Sequence, residues 1–241
     1  MSYFFRVNED GWIFPAFSFI HILILAISIL GCMFFLNSKI LDDRKNLKKA
    51  GRILLTFIIL EQVSNYLWIF MTGSFDIKED LPLYFCRITL IASIIALITD
   101  KDFFVTISVY WGVFGGILAL SYPVLYKFRP PHLTNIEYFL GHILILWTAC
   151  YFMRKGYDFS GFRYRTINKI TILFALLASA VNLVINANYN NTIVPPLFPD
   201  KISKFGPRLS ISLVILTVLI FNYLTYRYGN RYKKNMELKH I

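Results

Sequence analysis

The sequence predicts an all-α polytopic membrane bundle of seven transmembrane helices, with the N-terminus outside and the C-terminus cytoplasmic. Three observations predict it. Of 241 residues, 56% are hydrophobic and only 16% are charged. The apolar residues gather into runs long enough to cross a bilayer, which needs about 20 residues per helix. Lys and Arg are distributed unevenly between alternate loops, which is the signal that orients such a chain.

The predicted spans, in order, are about 13–36, 53–71, 82–99, 103–122, 136–153, 170–187 and 209–226. At 1.5 Å per residue each covers most or all of about 30 Å of hydrocarbon. The first run is long enough to span, and MSYFFRVNED lacks a basic region before it, so it reads as a helix and not a secretory signal. The joint Asp100-Lys101-Asp102 alone separates the third and fourth spans and is the weakest boundary. No internal repeat breaks the series, and a single seven-helix domain is expected over residues 1–241. The segments 37–52, 100–102, 153–169 and 227–241 hold 17 Lys or Arg in total, against 7 in the alternate segments. That asymmetry places the first set in the cytoplasm, and an odd number of spans requires the same answer.

The net charge of +11 has a simple origin in basic loops facing an anionic leaflet, so no nucleic acid partner is expected. Membrane lipids are the expected partners, and the cell membrane the expected location. Cys32, Cys86 and Cys150 are an odd set within apolar runs, which argues against a disulfide framework. There is no zinc spacing, no phosphate-cradling glycine loop and no nucleophile elbow. Neither a metal nor a bound cofactor is implied.

Polar groups inside hydrocarbon are rare and face the bundle interior, so they are the candidate functional residues. Depth follows from the rise per residue. Cys86 and Arg87 lie roughly 6–8 Å below the outer boundary of the third span, and His142 roughly 9 Å below that of the fifth. Asn182 and Asn186 share a face at i, i+4, roughly 2–8 Å below the outer end of the sixth. Glu61 sits near mid-membrane, with Asn65 one turn nearer the outside. Arg87, Cys86, His142, Asn182, Asn186 and Asn65 form one polar layer in the outer half, and the deeper Glu61 or the asparagine amides are the expected partners of Arg87. His21 reads as structural. Gly112 and Gly116 have the GxxxG spacing of close helix packing.

The elements "LPLYFC" (81–86), "YWGVFGGILALSYP" (110–123), "GH" (141–142) and "NLVINANY" (182–189), with the span-2 glutamate and "GP" (206–207), resemble the YwaF-like integral membrane family. Its members are bacterial relatives of an animal transmembrane acyltransferase that moves polyunsaturated chains onto ether phospholipids. The resemblance covers roughly residues 55 to 215. It implies that Cys86 is an acyl-carrying nucleophile and His142 its partner. The chain departs from the family pattern at Tyr84, where members often carry histidine, and at Arg87, where many bacterial members carry an acid.

Three function classes are expected from this layer. The first is a lipid acyltransferase or hydrolase, with catalytic Cys86 and His142. Arg87, Glu61, Asn65, Tyr84, Asn182 and Asn186 would then contact substrate. The second is a small-solute or lipid transporter or binding protein using Glu61, Arg87 and His142. The third is a non-catalytic membrane scaffold in which the polar layer is glue.

Overall fold

The computed structural model describes residues 3–194 and 202–239. Seven α-helices and no strands are present among the described residues: α1 Phe19–Asn37, α2 Arg44–Thr72, α3 Phe85–Thr99, α4 Asp102–Ser121, α5 Leu133–Arg154, α6 Gly161–Ile185 and α7 Pro207–Lys239. Six are long and apolar enough to cross a membrane. The exception is α3, whose 15 residues extend about 22 Å at 1.5 Å per residue. The predicted joint holds, since α3 ends at Thr99 and α4 begins at Asp102, with Asp100 in the left-handed region at φ 53° to reverse the chain.

Helix ends differ from the apolar windows wherever polar residues still favour helix. Ser18, not the apolar run, starts α1: its side chain accepts from the His21 N–H, so the helix begins at Phe19, six residues inside the predicted boundary at 13. Asp43 starts α2 well before residue 53 by accepting from the Lys45 and Asn46 N–H groups. The Lys- and Arg-rich segment after it is therefore helical, and α2 runs for 29 residues. Gly73, at φ 65°, closes α2 in the left-handed cap that glycine adopts without a Cβ penalty.

The described residues fall into two compact units, Met1–Ser74 with Thr89–Lys155, and Phe75–Ile88 with Gly156–Ile241. In the first, α5 is the central helix, packing against α1, α2 and α4. The GxxxG reading is borne out. A Cβ on Gly112 would stand 2.7 Å from the Ile145 carbonyl oxygen, and one on Gly116 2.6 Å from the Leu146 Cβ. Only glycine lets α4 lie this close to α5. Trp147 occupies the space that Gly31 leaves on α1, and its Nε1 donates to the Ser28 carbonyl at 3.0 Å. Arg154 ends α5 by donating to the Leu36 and Ser38 carbonyls and pairing with Asp42, a cation at the C-terminal end of α1. At the other end of the unit the Asp10 carboxylate accepts from the Arg129 and Trp12 N–H groups, folding the N-terminal segment onto the α4–α5 loop.

In the second unit α6 and α7 pair. Asn222 Nδ2 donates to Asn168 Oδ1 at 2.9 Å, and Tyr164 stacks on Tyr226 with ring centroids 4.7 Å apart. Gly229 admits the Phe159 ring, and Asp158 pairs with both Arg163 and Lys233.

Candidate functional site

The predicted polar residues divide between the two units: Tyr84, Cys86, Arg87, Asn182 and Asn186 in the second, Glu61, Asn65 and His142 in the first.

In the second unit the "LPLYFC" segment is held by its backbone. Asn190 Oδ1 accepts from the Phe85 N–H at 2.7 Å, and its Nδ2 donates to the Leu83 carbonyl at 2.6 Å. Phe85 is the first residue of α3, so Asn190 caps that helix from a distant segment. Asn190 itself sits at φ 56°, a left-handed conformation that asparagine tolerates better than most residues. Asn182 holds the loop that carries Asn190. Its Nδ2 donates to the Tyr189 carbonyl and the Thr192 hydroxyl, while its Oδ1 accepts from the Tyr189 N–H at 2.8 Å. The Tyr189 hydroxyl donates to the Ile77 carbonyl and accepts from the Leu81 N–H, and burial pushes that phenol above its ordinary range. Tyr84 packs edge-on against the Tyr189 ring at 5.1 Å.

Cys86 therefore lies half-buried in the first turn of α3, at the positive end of the helix dipole. Arg87 follows it, and its guanidinium reaches both the Asp80 carboxylate and the Asp80 carbonyl at 3.5 Å. Asp80 is only 5% exposed and also accepts from the Asp76 N–H at 2.8 Å. The anion facing Arg87 inside this unit is thus a loop residue seven positions earlier, outside the span in which sequence reasoning looked for partners. Asn186 is exposed and forms the left-handed C-cap of α6, so it and Asn182 do not share a helical face as i, i+4 spacing predicts.

In the first unit two buried carboxylates, Glu61 and Glu137, stand on the packed helices α2 and α5. Glu61, 5% exposed on α2, accepts from Gln62 Nε2 at 2.8 Å. Ser64, one turn on, donates to Glu137 Oε1 of α5 at 2.6 Å and lies 3.0 Å from the Glu61 carbonyl. Glu137 is 4% exposed. Gly141 makes room for Glu61, since a Cβ there would stand 3.1 Å from Glu61 Oε1. Asn65 is half-buried one turn beyond Glu61. Sequence reasoning passed over Glu137 and Ser64. The available signal was an acid inside an apolar span, four residues before Gly141 and so on the same face of α5.

His142 follows Gly141. Its Nδ1 lies 2.6 Å from the Tyr138 carbonyl, and a carbonyl can only accept, so Nδ1 carries the proton. In the neutral ring Nε2 then holds a lone pair, and it has no hydrogen-bond partner among the described residues. The other two histidines of the unit differ. His21 Nε2 donates to the Leu120 carbonyl while its Nδ1 accepts from the Phe17 N–H. His132 Nε2 donates to the Arg6 carbonyl while its Nδ1 faces the Thr134 hydroxyl and N–H. Both rings are fully engaged, as the structural reading of His21 anticipates. The thiols of Cys32 and Cys150 are within hydrogen-bonding reach of each other, and none of the three cysteines is in a disulfide. No group of three or more His, Cys, Asp or Glu that would hold a metal exists among the described residues.

No curated protein and no solved structure matches the chain. A family model does, over residues 16–239, which takes in all seven helices and both polar clusters. With six apolar helices of spanning length, the chain is a multi-pass membrane protein and belongs to the TMEM164 family.

Proposed function

We propose that this protein is a membrane-embedded enzyme acting on lipid acyl esters, with Cys86 as nucleophile and His142 as general base. The observation that carries the proposal is the fixed tautomer of His142. Its Nδ1–H is committed to the Tyr138 carbonyl, which leaves Nε2 as the proton acceptor a thiol nucleophile requires. Placement of Cys86 in the first turn of α3 supports the same role, because the positive end of a helix favours a developing thiolate. The likeness of "LPLYFC" and "GH" to the acyl-transferring family elements supports it independently.

In this scheme Cys86 Sγ attacks the ester carbonyl as its thiol proton is taken up by the general base. The acyl chain rests on sulfur while the lysolipid leaves with that proton. Arg87, a planar five-donor fork, binds the anionic headgroup or the oxyanion, and Asp80 holds it in place. Tyr84 borders the same segment. Asn182 and Asn186 shape the Cys86 side of the site through the segment after α6, and Glu61 and Asn65 take a proposed substrate-contact role. The proposed orientation places this layer toward the outer leaflet of the cell membrane, N-terminus outside, as the distribution of Lys and Arg favours.

The test is covalent labelling of the reconstituted protein with an activated-ester acyl probe. Wild type becomes acylated, and Cys86→Ala does not. Equal labelling of the two removes Cys86 from the mechanism. A second reading, proton-linked transport, is favoured by one observation: two buried carboxylates, Glu61 and Glu137, stand on the packed helices α2 and α5, with Ser64 of α2 donating to Glu137. Uptake into proteoliposomes that depends on a pH gradient and is lost in Glu61→Gln would select it.

A further inference from the structure

Within the first unit, α1 and α2 both rest on α5, and between them runs a groove of about 400 Å³. Its walls are apolar along most of the length, including Ile53, Phe57, Leu140 and Leu144. At one end stand the only polar lining residues, Asn46 and Lys49. None of these residues belongs to the proposed catalytic layer.

The form of the groove suits a lipid chain. From Asn46 to Phe57 the α2 wall extends about 16 Å at 1.5 Å per residue, entering the expected hydrocarbon near residue 53. A hydrocarbon chain of the surrounding bilayer fits along this apolar wall. The wall is open to the bilayer, since Ile53 and Phe57 are 47% and 48% exposed.

Charge at the mouth selects the headgroup. Six Lys or Arg lie between residues 39 and 52, against two acids. Both acids are engaged, Asp42 by Arg154 and Asp43 by the N–H groups it caps. Lys45, Lys48 and Lys49 have no ion pair among the described residues. Lys45 and Lys49 are i, i+4 neighbours in the first turns of α2, where the helix dipole adds to their field.

We propose that this groove is a binding site for an anionic phospholipid of the leaflet on the Lys-rich side, with one acyl chain between α1 and α2 and the phosphate on Lys49 and Lys45. The site is separate from the Cys86 chemistry and stands whether or not that chemistry is correct.

Native mass spectrometry of the full chain in mild detergent tests it. Phosphatidylglycerol and phosphatidylcholine of matched chains are compared, with soluble glycerol phosphate as a third arm. The expected result is retention of phosphatidylglycerol about fivefold or more above phosphatidylcholine, the effect of about one basic residue at a membrane surface. Lys49→Glu brings the two lipids level. Ile53→Trp, a change on an exposed wall, abolishes retention of both with the detergent melting curve unmoved. Equal retention of the two lipids by wild type overturns the proposal. So does competition by glycerol phosphate at the affinity of the intact lipid, which marks a simple phosphate site. Full retention in Ile53→Trp places the lipid elsewhere, and a dimer that Ile53→Trp dissolves assigns the groove to a second copy.

Discussion

The two polar clusters look alike in sequence, as scattered polar residues in apolar runs, yet they are built oppositely. Around Asn182, Tyr189 and Asn190 the amides are spent on backbone groups of the 77–85 and 189–192 segments. Around Glu61 and Ser64 the side chains meet other side chains, while the His142 imidazole bonds a backbone carbonyl through Nδ1 and keeps its other nitrogen unengaged among the described residues. A cluster spent on backbone atoms alone fixes a loop. A cluster whose members titrate can move protons. Hydrogen-bond satisfaction separates glue from a reactive site, and polarity alone does not.

Substitutions sharpen that contrast. The largest effect is expected in the asparagine cluster. Asn190→Ala strands the Phe85 N–H and the Leu83 carbonyl, and each buried unsatisfied group costs about 1–3 kcal/mol, so detergent unfolding should show a loss of about 2–5 kcal/mol. An unchanged melting temperature would mean the α3 cap is not held this way. Next is His142→Asn, which should reduce acyl-probe labelling about 100-fold or more while stability moves little, as expected for a general base. The same change at His21 should do the reverse, because both of its ring nitrogens are bonded. Identical behaviour of the two variants would erase the distinction drawn between them.

A smaller effect concerns pH. Burial holds His132 below the usual imidazole range, and both ring nitrogens are engaged in the neutral form. The unfolded chain therefore takes up this proton at a higher pH than the folded one. Stability from this group is complete above the unfolded value of about 6.5 and falls as pH drops below it. His132→Asn should flatten that part of the profile, measured by melting between pH 7.5 and pH 5 or so. The mildest probe is oxidation. Cys32 and Cys150 face each other between α1 and α5, so a gentle oxidant should join them and shift gel mobility, with Cys86 uninvolved. Failure to cross-link would question the α1–α5 packing on which the lipid groove depends.

Much of the fold was legible because hydrophobic run length is a one-dimensional property. The helix count, the Asp100–Asp102 joint and the Gly112–Gly116 contact all came from local pattern. The ends of α2 and α7 did not, because Lys- and Arg-rich sequence is as good a helix former outside the bilayer as apolar sequence is within it. Cys86, His142 and Asn182 were picked out by polarity and depth. Asp80 and Asn190 were not, because both stand on connecting segments and act on residues 7 and 105 or more positions away. Spacing on a single helix carries no record of such contacts. Asn186 illustrates the converse: the i, i+4 rule assumes that the helix continues, and Asn186 is where it stops.

The shortness of α3 bears on how a lipid would reach the thiol. A rod about 22 Å long falls about 8 Å short of the roughly 30 Å apolar slab around it. Mismatch of that kind is relieved by thinning of the surrounding bilayer, at a fraction of a kcal/mol per ångström. Such a dimple would draw the ester linkages of neighbouring lipids down toward the helix end where Cys86 stands. Under the proposed chemistry, a short helix would thereby shorten the distance a glycerol backbone must travel to the thiol.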